Sequence, residues 1–245
     1  MFKGKNFIIT GASSGIGETA AVLLASAGAN IIALARDKNR LTAVTEALPG
    51  HGHQAIASDA ADEETVGELV KAGRSVGGID GALLAAGAHT MMPLSLSGNN
   101  AFEEMHRLNV LTAINGIKAV TKTARKEGAA IVMISSISAI RGSPGFVAYA
   151  AAKAALLGLA RSAAVELAPK KIRVNTVLAG VVNTPLSETW LGRVSGTQRQ
   201  QIMDKHLLGE GRPQFVAEAA LFLMSDKAYW ITGTELAVDG GLSIG

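Results

Sequence analysis

The sequence predicts an α/β fold in which a doubly wound parallel sheet of about seven strands is covered by helices on both faces. Strand-like and helix-like segments alternate along all 245 residues, and this alternation is typical of parallel sheets, whose strands are joined by helical crossovers. The strand-like segments are nearly continuous apolar runs, which indicates burial on both faces. A glycine-rich turn also separates the first strand from the first helix, as in many doubly wound sheets.

The first half of the chain contains four predicted strands, at about 5–10, 30–35, 53–57 and 80–85. The apolar run at residues 6–9 marks the first strand, and a helix-like stretch at 18–27 follows it after the glycine turn. Helices are expected at about 15–27, 37–48, 62–76 and 99–126. Each of them follows a strand, as a crossover helix must.

The second half contains three predicted strands, at about 129–135, 172–178 and 234–238, and helices at about 147–168 and 213–225. The β-branched run at 130–134 is typical of a buried strand. Residues 185–212 lack clear signals of either kind, and a loop of this length in a compact domain is usually functional, often a lid. No linker or low-complexity tract divides the chain, so we expect one domain over residues 1–245.

Composition excludes several classes of protein. The chain has no cysteine, which excludes disulfides and cysteine-based zinc sites, and of its five histidines only His51 and His53 lie close together. We interpret that pair as an exposed turn and expect no metal. The formal charge of +3 is dispersed and gives no reason to expect nucleic-acid binding. Without a leader peptide or an apolar run of the roughly 18 to 20 residues that a span needs, we expect a cytoplasmic protein and no membrane partner.

The turn after the first strand reads Thr-Gly-Ala-Ser-Ser-Gly-Ile-Gly over residues 10–17. Strand, glycine turn and helix follow in the order of a Rossmann-type dinucleotide site. Glycines at 11, 15 and 17 permit a tight turn and a close approach to a pyrophosphate, while N–H groups at the helix start can bind phosphate oxygens. An ordinary glycine-rich turn is the alternative. A triphosphate P-loop is disfavoured, because Glu18 and Thr19 follow and no lysine meets the phosphates.

Tyr149 and Lys153 form the most informative pair of side chains. Four residues apart on a helix, both lie on one face. A nearby positive charge favours the phenolate, so we expect the lysine to bring the tyrosine pKa, ordinarily roughly 10, closer to the working range of an acid–base catalyst. The pair alone is only suggestive. Ser136, at the end of a strand-like run, and Asn109 add two further polar groups that make it specific.

With these motifs the chain resembles the short-chain dehydrogenase/reductase family over essentially its whole length, in particular the branch of 3-oxoacyl-thioester reductases and sugar or alcohol dehydrogenases. The ending Ile-Thr-Gly-Thr-Glu-Leu-Ala-Val-Asp-Gly-Gly at 231–241 also matches that branch. The resemblance implies a catalytic tetrad of Asn109, Ser136, Tyr149 and Lys153. Besides Tyr149 and Lys153, it implies cofactor contacts at Gly11, Ser13, Ser14, Gly15, Ile16, Gly17, Arg36, Asp59, Ala60, Ala86, Gly87, Gly180, Val182 and Thr184.

The end of the second strand bears on the choice between NAD and NADP. A carboxylate there bonds the adenosine ribose of NAD, whereas an arginine accommodates the 2′-phosphate of NADP. The position that is acidic in NAD-selecting relatives is Ala35, and Arg36 follows it. We therefore predict a preference for NADP(H), with NAD(H) as the alternative. The alternative is that Arg36 is only a solvated residue at the entry to a helix. Two observations keep this alternative open: Asp37 follows Arg36, and Ser14 stands where many NADP-using relatives carry a second basic residue. Asp59 is either an adenine contact or the N-cap of the next helix.

Two segments depart from the family pattern. Leu84 and Ala85 replace a pair of asparagines whose hydrogen bonds steady the sheet and the adenine side, and Ala179 replaces the proline before Gly180. We expect an altered cofactor geometry at the first place and a more flexible turn at the second. The chemistry should remain intact.

The resemblance implies interconversion of a carbonyl and a secondary alcohol, on substrates such as 3-oxoacyl thioesters, ketones or sugar alcohols. Tyr149 would exchange the proton, Lys153 would hold the nicotinamide ribose, Ser136 would bond the substrate oxygen and Asn109 would position a water. Apolar residues that could line the substrate pocket, or alternatively form core or subunit contacts, are Met91, Met92, Leu186, Trp190, Leu191, Ile202, Met203, Leu207 and Leu208.

Two kinds of protein partner are suggested: further copies of the chain and an acyl carrier protein. Family members are commonly dimers or tetramers, and the alanine-rich helix at about 148–168 suits close contact between subunits. The basic pairs Arg125/Lys126 and Lys170/Lys171 could dock an acidic acyl carrier protein, or could simply end helices. Two other functions stay open. A catalytically silent NADP-binding regulator needs the glycine turn and Arg36 but not the tetrad, and a purely structural protein needs neither.

Overall fold

A computed structural model describes all residues, 1–245, and contains one seven-stranded sheet in the order β3-β2-β1-β4-β5-β6-β7. The strands are β1 (Asn6–Thr10), β2 (Asn30–Ala35), β3 (Gln54–Ala57), β4 (Gly81–Leu84), β5 (Ala129–Ser136), β6 (Ile172–Ala179) and β7 (Glu235–Val238). Every neighbouring pair is parallel. The strand order reverses between β1 and β4, and ligands of such sheets bind beyond the carboxyl ends at that point.

Nine α-helices flank the sheet, and the predicted fold class is confirmed. They are α1 (Gly15–Ser26), α2 (Lys38–Ala47), α3 (Glu64–Ser75), α4 (Asn99–His106), α5 (Thr112–Thr123), α6 (Val147–Leu167), α7 (Pro185–Leu191), α8 (Gly196–Met203) and α9 (Pro213–Met224). One apolar core lies between the sheet and α1, α2 and α9, and the other between the sheet and α3, α5 and α6. No helix has the length and apolar character needed to cross a membrane.

The two cores explain the continuous apolar runs of the central strands. In β1, Phe7 and Ile9 face one core and Ile8 faces the other, because successive side chains of a strand point to opposite faces. The expectation of burial on both faces is wrong for the edge strands: half-buried and exposed positions alternate in β3, and β7 has three half-buried residues and one exposed residue. Each has a strand neighbour on one side only, so its surroundings are less complete.

The predicted helix at 99–126 is interrupted. The chain instead forms α4, a π-helical turn at Arg107–Leu111, and α5, which ends at Thr123. No glycine or proline marks the interruption in the sequence. The π-turn carries Asn109, whose side-chain amide donates to Met105 O at 3.0 Å in the preceding turn and to Ala88 O at 2.9 Å beyond β4. Such turns often occur at functional sites.

The segment expected to lack helices, residues 185–212, in fact contains α7 and α8; we call it the lid segment. Both helices begin with a capping box, formed by Thr184 with Ser187 and by Ser195 with Gln198. The two helices have seven and eight residues, too short to show a clear apolar period. The S/T-x-x-Q spacing before α8 was the signal that could have revealed it.

Candidate active site

A cavity of about 1250 Å³ opens at the carboxyl edge of the sheet, beside the neighbouring strands β1 and β4, between which the strand order reverses. Its walls come from the turns after β1, β2, β3, β4, β5 and β6, and from the lid segment. Every residue that the sequence analysis assigned to the tetrad or to cofactor contact lies on its wall. The structure therefore brings these residues together, although they are spread from Gly11 to Thr184 along the chain.

The turn after β1 can be built only from glycine at its key positions. Gly11 and Gly15 have positive φ angles of 69° and 58°, a region that other residues rarely adopt. A Cβ atom on Gly17 would collide with the carbonyl of Gly11, and one on Gly11 would lie 2.9 Å from Ala86 N. The side chain of Ser14, the N-cap residue of α1, makes no capping hydrogen bond. The first N–H groups of α1 therefore keep the capacity to bind an anion.

The carboxylate of Asp37 is already engaged. It accepts the backbone N–H of Arg40 at 3.0 Å as the N-cap of α2, and pairs with the Arg40 guanidinium at 2.7 Å. These hydrogen bonds lower the pKa of Asp37. Arg36, in contrast, is exposed, lies on the cavity wall and belongs to no ion pair. The cavity edge beyond β2 thus presents a free cation.

Asp59 does not serve as the N-cap of α3, so that alternative is wrong; Glu63 occupies the N-cap position. Instead, one carboxylate oxygen of Asp59 accepts the N–H of Ala61 at 3.0 Å, which closes a short turn. The other accepts from both terminal nitrogens of Arg107 at 3.3 Å. Asp59 is therefore fixed from two sides while it remains on the cavity wall.

Lys153 is buried at the base of the cavity, with 5% of its surface exposed. Its ammonium donates to Ile134 O at 2.9 Å and lies 5.6 Å from the centre of the Tyr149 ring. Burial lowers the pKa of Lys153 to about 8. A Cβ atom on Gly87 would lie 2.7 Å from Asn109 Oδ1 and 3.3 Å from the ammonium. Glycine at this position keeps open the space that Lys153 and Asn109 share.

The pKa of Tyr149 differs from our expectation. Burial raises it to about 12, and a hydrogen bond with Ser136 opposes this shift only in part. The prediction that Lys153 lowers the tyrosine pKa is therefore wrong for the protein without ligands. Lys153 is buried and Tyr149 is half-buried, and loss of solvation disfavours the ammonium and the phenolate alike. Tyr149 still lines the cavity, so a ligand can reach its hydroxyl.

Ser136 and Asn109 are held by their surroundings. The Ser136 hydroxyl accepts the N–H of Ser138 at 3.2 Å, in a short 3₁₀ turn that follows β5. Asn109 is almost fully buried, and its amide both donates to Ala88 O and accepts the Ala88 N–H, at 2.9 and 3.3 Å. Asn109 thus fixes the chain beyond β4, next to Gly87. The tetrad residues come from three elements, namely the π-turn, β5 and α6, and meet at one end of the cavity.

The departures from the family pattern are accommodated by packing. A Cβ atom on Gly116 of α5 would collide with the Leu84 side chain, so Leu84 fills the space against this helix and belongs to the apolar core. After β6, a Cβ atom on Gly180 would lie 2.8 Å from the Cα of Asp239. The turn that we expected to be more flexible for lack of proline is therefore in close contact with the chain after β7.

The wall beside Tyr149 is aromatic. Phe146, His89 and Trp190 form edge-to-face contacts in which ring centres lie 5.4 to 6.2 Å apart, Tyr149 included. Of the predicted apolar lining, four residues reach the cavity: Met91, Leu186, Trp190 and Ile202. For Met92, Leu191, Met203, Leu207 and Leu208 the pocket alternative is wrong, since they do not line the cavity. Leu191 is buried in the protein, whereas Leu207 and Leu208 are 63% and 87% exposed.

His89, Phe146 and Arg40 are among the cavity residues that sequence reasoning missed. The Nε2 atom of His89 bonds Leu186 O at 2.9 Å and so connects the turn after β4 to α7. Burial lowers the pKa of His89. Nothing in the local sequence marked His89. Phe146 lies three residues before Tyr149, and the helical spacing could have placed it beside that ring.

Comparisons with known proteins agree with this geometry. Residues 11–243 match a family model described as Enoyl-(Acyl carrier protein) reductase. The chain is 34% identical to carbonyl reductase family member 4 of Danio rerio, over 97% of both proteins. It is 33% identical to 3-oxoacyl-(acyl-carrier-protein) reductase FabG of Thermotoga maritima, over 99% of both.

Solved structures give the same result. A 7α-hydroxysteroid dehydrogenase, in complex with NADH and 7-oxo glycochenodeoxycholic acid, aligns with a TM-score of 0.91 at 29% identity, over 98% of this chain and 94% of that one. A short-chain type dehydrogenase/reductase from Mycobacterium marinum aligns with the same TM-score at 30% identity, over 100% and 97%. The chain therefore belongs to the short-chain dehydrogenase/reductase family and is an NAD(P)-dependent oxidoreductase.

Proposed function

We propose that this enzyme uses NADP(H) to interconvert a carbonyl and a secondary alcohol, with Tyr149 as acid and base. The observation that carries the proposal is the shared cavity. Tyr149, Ser136 and Lys153 meet at one end of it, and the glycine turn and Arg36 lie along its wall. A silent regulator would have no use for the first group.

The cavity has the features that a bound dinucleotide requires. The glycine turn and the start of α1 offer N–H groups to a pyrophosphate. Arg36, with Arg40 beside it on the wall, supports binding of the 2′-phosphate. Gly180, Val182 and Thr184 would face the nicotinamide end. When bound there, the reduced nicotinamide supplies hydride to a carbonyl carbon, and the oxidised form accepts hydride from an alcohol.

The proton follows a path through the chain's own residues. In the reductive direction Tyr149 gives its phenolic proton to the substrate oxygen, and a pKa of about 12 keeps this proton in place at neutral pH until the oxygen becomes basic. The Lys153 ammonium then stabilises the phenolate that remains. The Ser136 hydroxyl donates to the same substrate oxygen and stabilises the charge that develops on it. A water in the space between Lys153, Asn109 and Gly87 would restore the proton.

For the substrate we propose three classes of compound, and for the partners a second copy of the chain and an acyl carrier protein. The similarity to FabG supports 3-oxoacyl thioesters, and the similarity to carbonyl reductase family member 4 supports ketones; sugar alcohols are a third class. We propose one domain over 1–245, a homo-oligomer, and action in the cytoplasm. An acyl carrier protein could dock on Lys126, Lys170 and Lys171, whereas Arg125 is engaged with Asp80 at 3.2 Å.

The test exploits the two tyrosines of the chain. We would screen 3-oxoacyl thioesters, ketones and sugar alcohols with NADPH and NADH, following the nicotinamide absorbance. Tyr149→Phe keeps the ring but removes the proton, so we expect turnover to fall by about 10²-fold or more with little change in NADPH affinity. Tyr229→Phe is the matched control, since Tyr229 is 72% exposed. NADPH binding without any turnover sensitive to Tyr149→Phe would favour the regulator instead.

A further inference from the structure

His206 lies just after α8 in the lid segment, is only 4% exposed and does not line the cavity. Its Nε2 atom lies 3.2 Å from the backbone N of Val181, and its Nδ1 atom lies 3.2 Å from Met203 O. A backbone N–H can donate only to an unprotonated ring nitrogen, so Nε2 accepts, and the proton on Nδ1 is donated to Met203 O. The neutral ring therefore bridges the end of α8 and the chain after β6.

The Val181 amide depends on a side chain, whereas two neighbouring amides donate to backbone oxygens. On one side, Gly180 N donates to Val238 O at 3.1 Å, and on the other Asn183 N donates to Gly211 O at 2.9 Å. These are backbone contacts that a substitution of His206 leaves in place. Gly180 and Val182, which flank Val181, both lie on the cavity wall. The position of this wall is thus set in part by an imidazole that belongs to the lid segment.

The lid segment is itself connected. Arg199 of α8 pairs with both carboxylate oxygens of Glu188 in α7, at 2.6 and 2.8 Å. α7 carries Trp190 and α8 carries Ile202, which both line the cavity beyond Tyr149. Through Met203 O, His206 joins this pair of helices to the backbone at Val181. A change in the position of α8 is therefore transmitted to the wall at Gly180 and Val182.

We propose that His206 is a positioning residue that couples the lid helices to the Gly180–Val182 wall and so aligns this wall for the nicotinamide end of the cofactor. The inference rests on the proposed location of the nicotinamide. It needs only the neutral imidazole with Nδ1 as donor and Nε2 as acceptor. Its consequence is that loss of the Val181 bond weakens cofactor binding more than it slows the chemical step.

Three variants separate the two hydrogen bonds. His206→Phe keeps the ring and removes both. His206→Gln is long enough to place an amide oxygen near the Nε2 position, where it accepts from Val181. His206→Asn is shorter and can replace only the Nδ1 donor to Met203. We would measure amide exchange at Val181 in the cofactor-free protein, NADPH affinity by nicotinamide fluorescence, kcat, and the melting temperature.

In the Phe and Asn variants we expect Val181 to exchange about 5- to 10-fold faster and NADPH to bind weaker by a similar factor, the size of one lost hydrogen bond. The value of kcat should change less. The His206→Gln variant should recover most of the Val181 protection and most of the NADPH affinity. The proposal would be overturned if His206→Phe left both the amide exchange of Val181 and the NADPH affinity unchanged. The proposal would also be overturned if NADPH affinity and Val181 protection fell in all three variants, Gln included, in step with the fall in melting temperature. That result would indicate a role in packing alone.

Two provisions keep the test decisive. If the Phe variant does not fold, the comparison of Gln with Asn decides, since both are polar and differ in which bond they restore. Amide exchange and NADPH binding require no turnover. An active enzyme with unchanged Val181 exchange therefore contradicts only the role of His206, whereas the expected exchange pattern without any carbonyl turnover contradicts only the proposed reaction.

Discussion

At the scale of single residues, Lys153 and Tyr149 show how strongly burial acts on the candidate site. The pKa of Lys153 falls to about 8 and that of Tyr149 rises to about 12 because each side chain loses solvation in the fold. A buried ammonium is costly, and the single hydrogen bond to Ile134 O compensates it only in part. The protein therefore holds a destabilising group at the place where we propose that catalysis occurs, as enzymes often do.

The low pKa of Lys153 has a measurable effect on stability. Between about pH 8 and its ordinary value of 10.5, the unfolded chain binds this proton and the folded chain does not. The free energy of unfolding therefore rises with pH in this window. Lys153→Met removes the titration, so from pH 8 to pH 10 the wild type should gain about 2 kcal/mol relative to the variant in urea unfolding. Parallel pH dependences for the two proteins would contradict the low pKa.

Tyr149 sets the upper limit of that experiment. Because its folded pKa is raised above the ordinary value of 10.0, the folded chain keeps a proton that the unfolded chain loses above about pH 10. This contribution lowers the free energy of unfolding as pH rises further. It is present in the wild type and in Lys153→Met, so it cancels in the comparison. Measurements at or below pH 10 keep it small.

Arg36 provides the second prediction at this scale. If it pairs with the 2′-phosphate, Arg36→Ala should weaken NADPH roughly 10- to 100-fold through loss of a charge-assisted hydrogen bond, and NADH far less. Lys38→Ala is the matched control, because Lys38 is an exposed neighbouring cation that does not line the cavity. Fluorescence titration of both cofactors measures the ratio. Equal losses for NADPH and NADH, or a wild-type preference for NADH, would exclude this role.

Single residues were the most predictable part of the candidate site when a motif carried them. The glycine turn and the pair Tyr149 and Lys153 were visible in residue spacing, and the resemblance to the family implied the roles of Ser136 and Asn109 beside them. His89 and His206 were not visible in this way. Their partners, Leu186 O and Val181 N, lie 97 and 25 residues away and are backbone atoms, which leave no trace in residue identity. The direction of the Tyr149 pKa shift was also not predicted from the sequence, because the burial of a side chain depends on the whole fold.

At the scale of elements, short helices and irregular turns were the ones missed. The π-turn at Arg107–Leu111 depends on the bonds of Asn109 to Ala88 and Met105, and propensity alone does not distinguish it from a continuous α-helix. α7 and α8 are stabilised by capping boxes and by the pair Glu188–Arg199 rather than by an apolar stripe. Apart from the predicted helix at 99–126, the longer helices and the buried strands were predicted to within a few residues because periodicity dominates them.

The lid segment carries the element-scale prediction. α7 and α8 have no buried residues besides Ser187 and Leu191, so their amides should open locally more often than those of the central strands. Their exchange should be fast in the free protein and slow, by roughly tenfold or more, when NADPH and a substrate analogue are bound. α3 is a control that should change little, because none of its residues lines the cavity. Full protection of α7 and α8 without ligands would argue for a fixed role in subunit contact.

At the scale of the whole molecule, alternation of strands and helices was enough to predict the sheet and its two covered faces. The order of strands, with its reversal between β1 and β4, comes from the structure, because right-handed crossovers fix the face on which each helix packs but not the order of the strands. What the sequence did not reveal is the incomplete covering at the edges, where β3 and β7 stay partly exposed. Exposed edges matter for association, because an edge strand or a bare helix face can be covered by another copy of the chain.

The proposed homo-oligomer gives the last prediction, which concerns α6. One face of this helix turns Tyr149 and Lys153 toward the cavity, and another leaves a stripe of mostly small residues exposed at helical spacing: Val147, Ala151, Ala155, Gly158, Ser162 and Val165. Small side chains allow two helices to approach closely, so we expect α6 to meet its counterpart in a second copy. A long charged side chain in the middle of the stripe should prevent this.

Ala155→Arg should therefore shift the protein from a dimer or tetramer to a smaller species in size-exclusion chromatography with light scattering. Ala43→Arg makes the same change at an exposed position of α2, outside the stripe, and should leave the mass unchanged. Since α6 carries Tyr149 and Lys153, loss of the contact should also lower turnover, through a less rigid catalytic helix, before it lowers secondary-structure content by circular dichroism. A monomeric wild type, or an unchanged mass for Ala155→Arg, would rule out α6 as the contact.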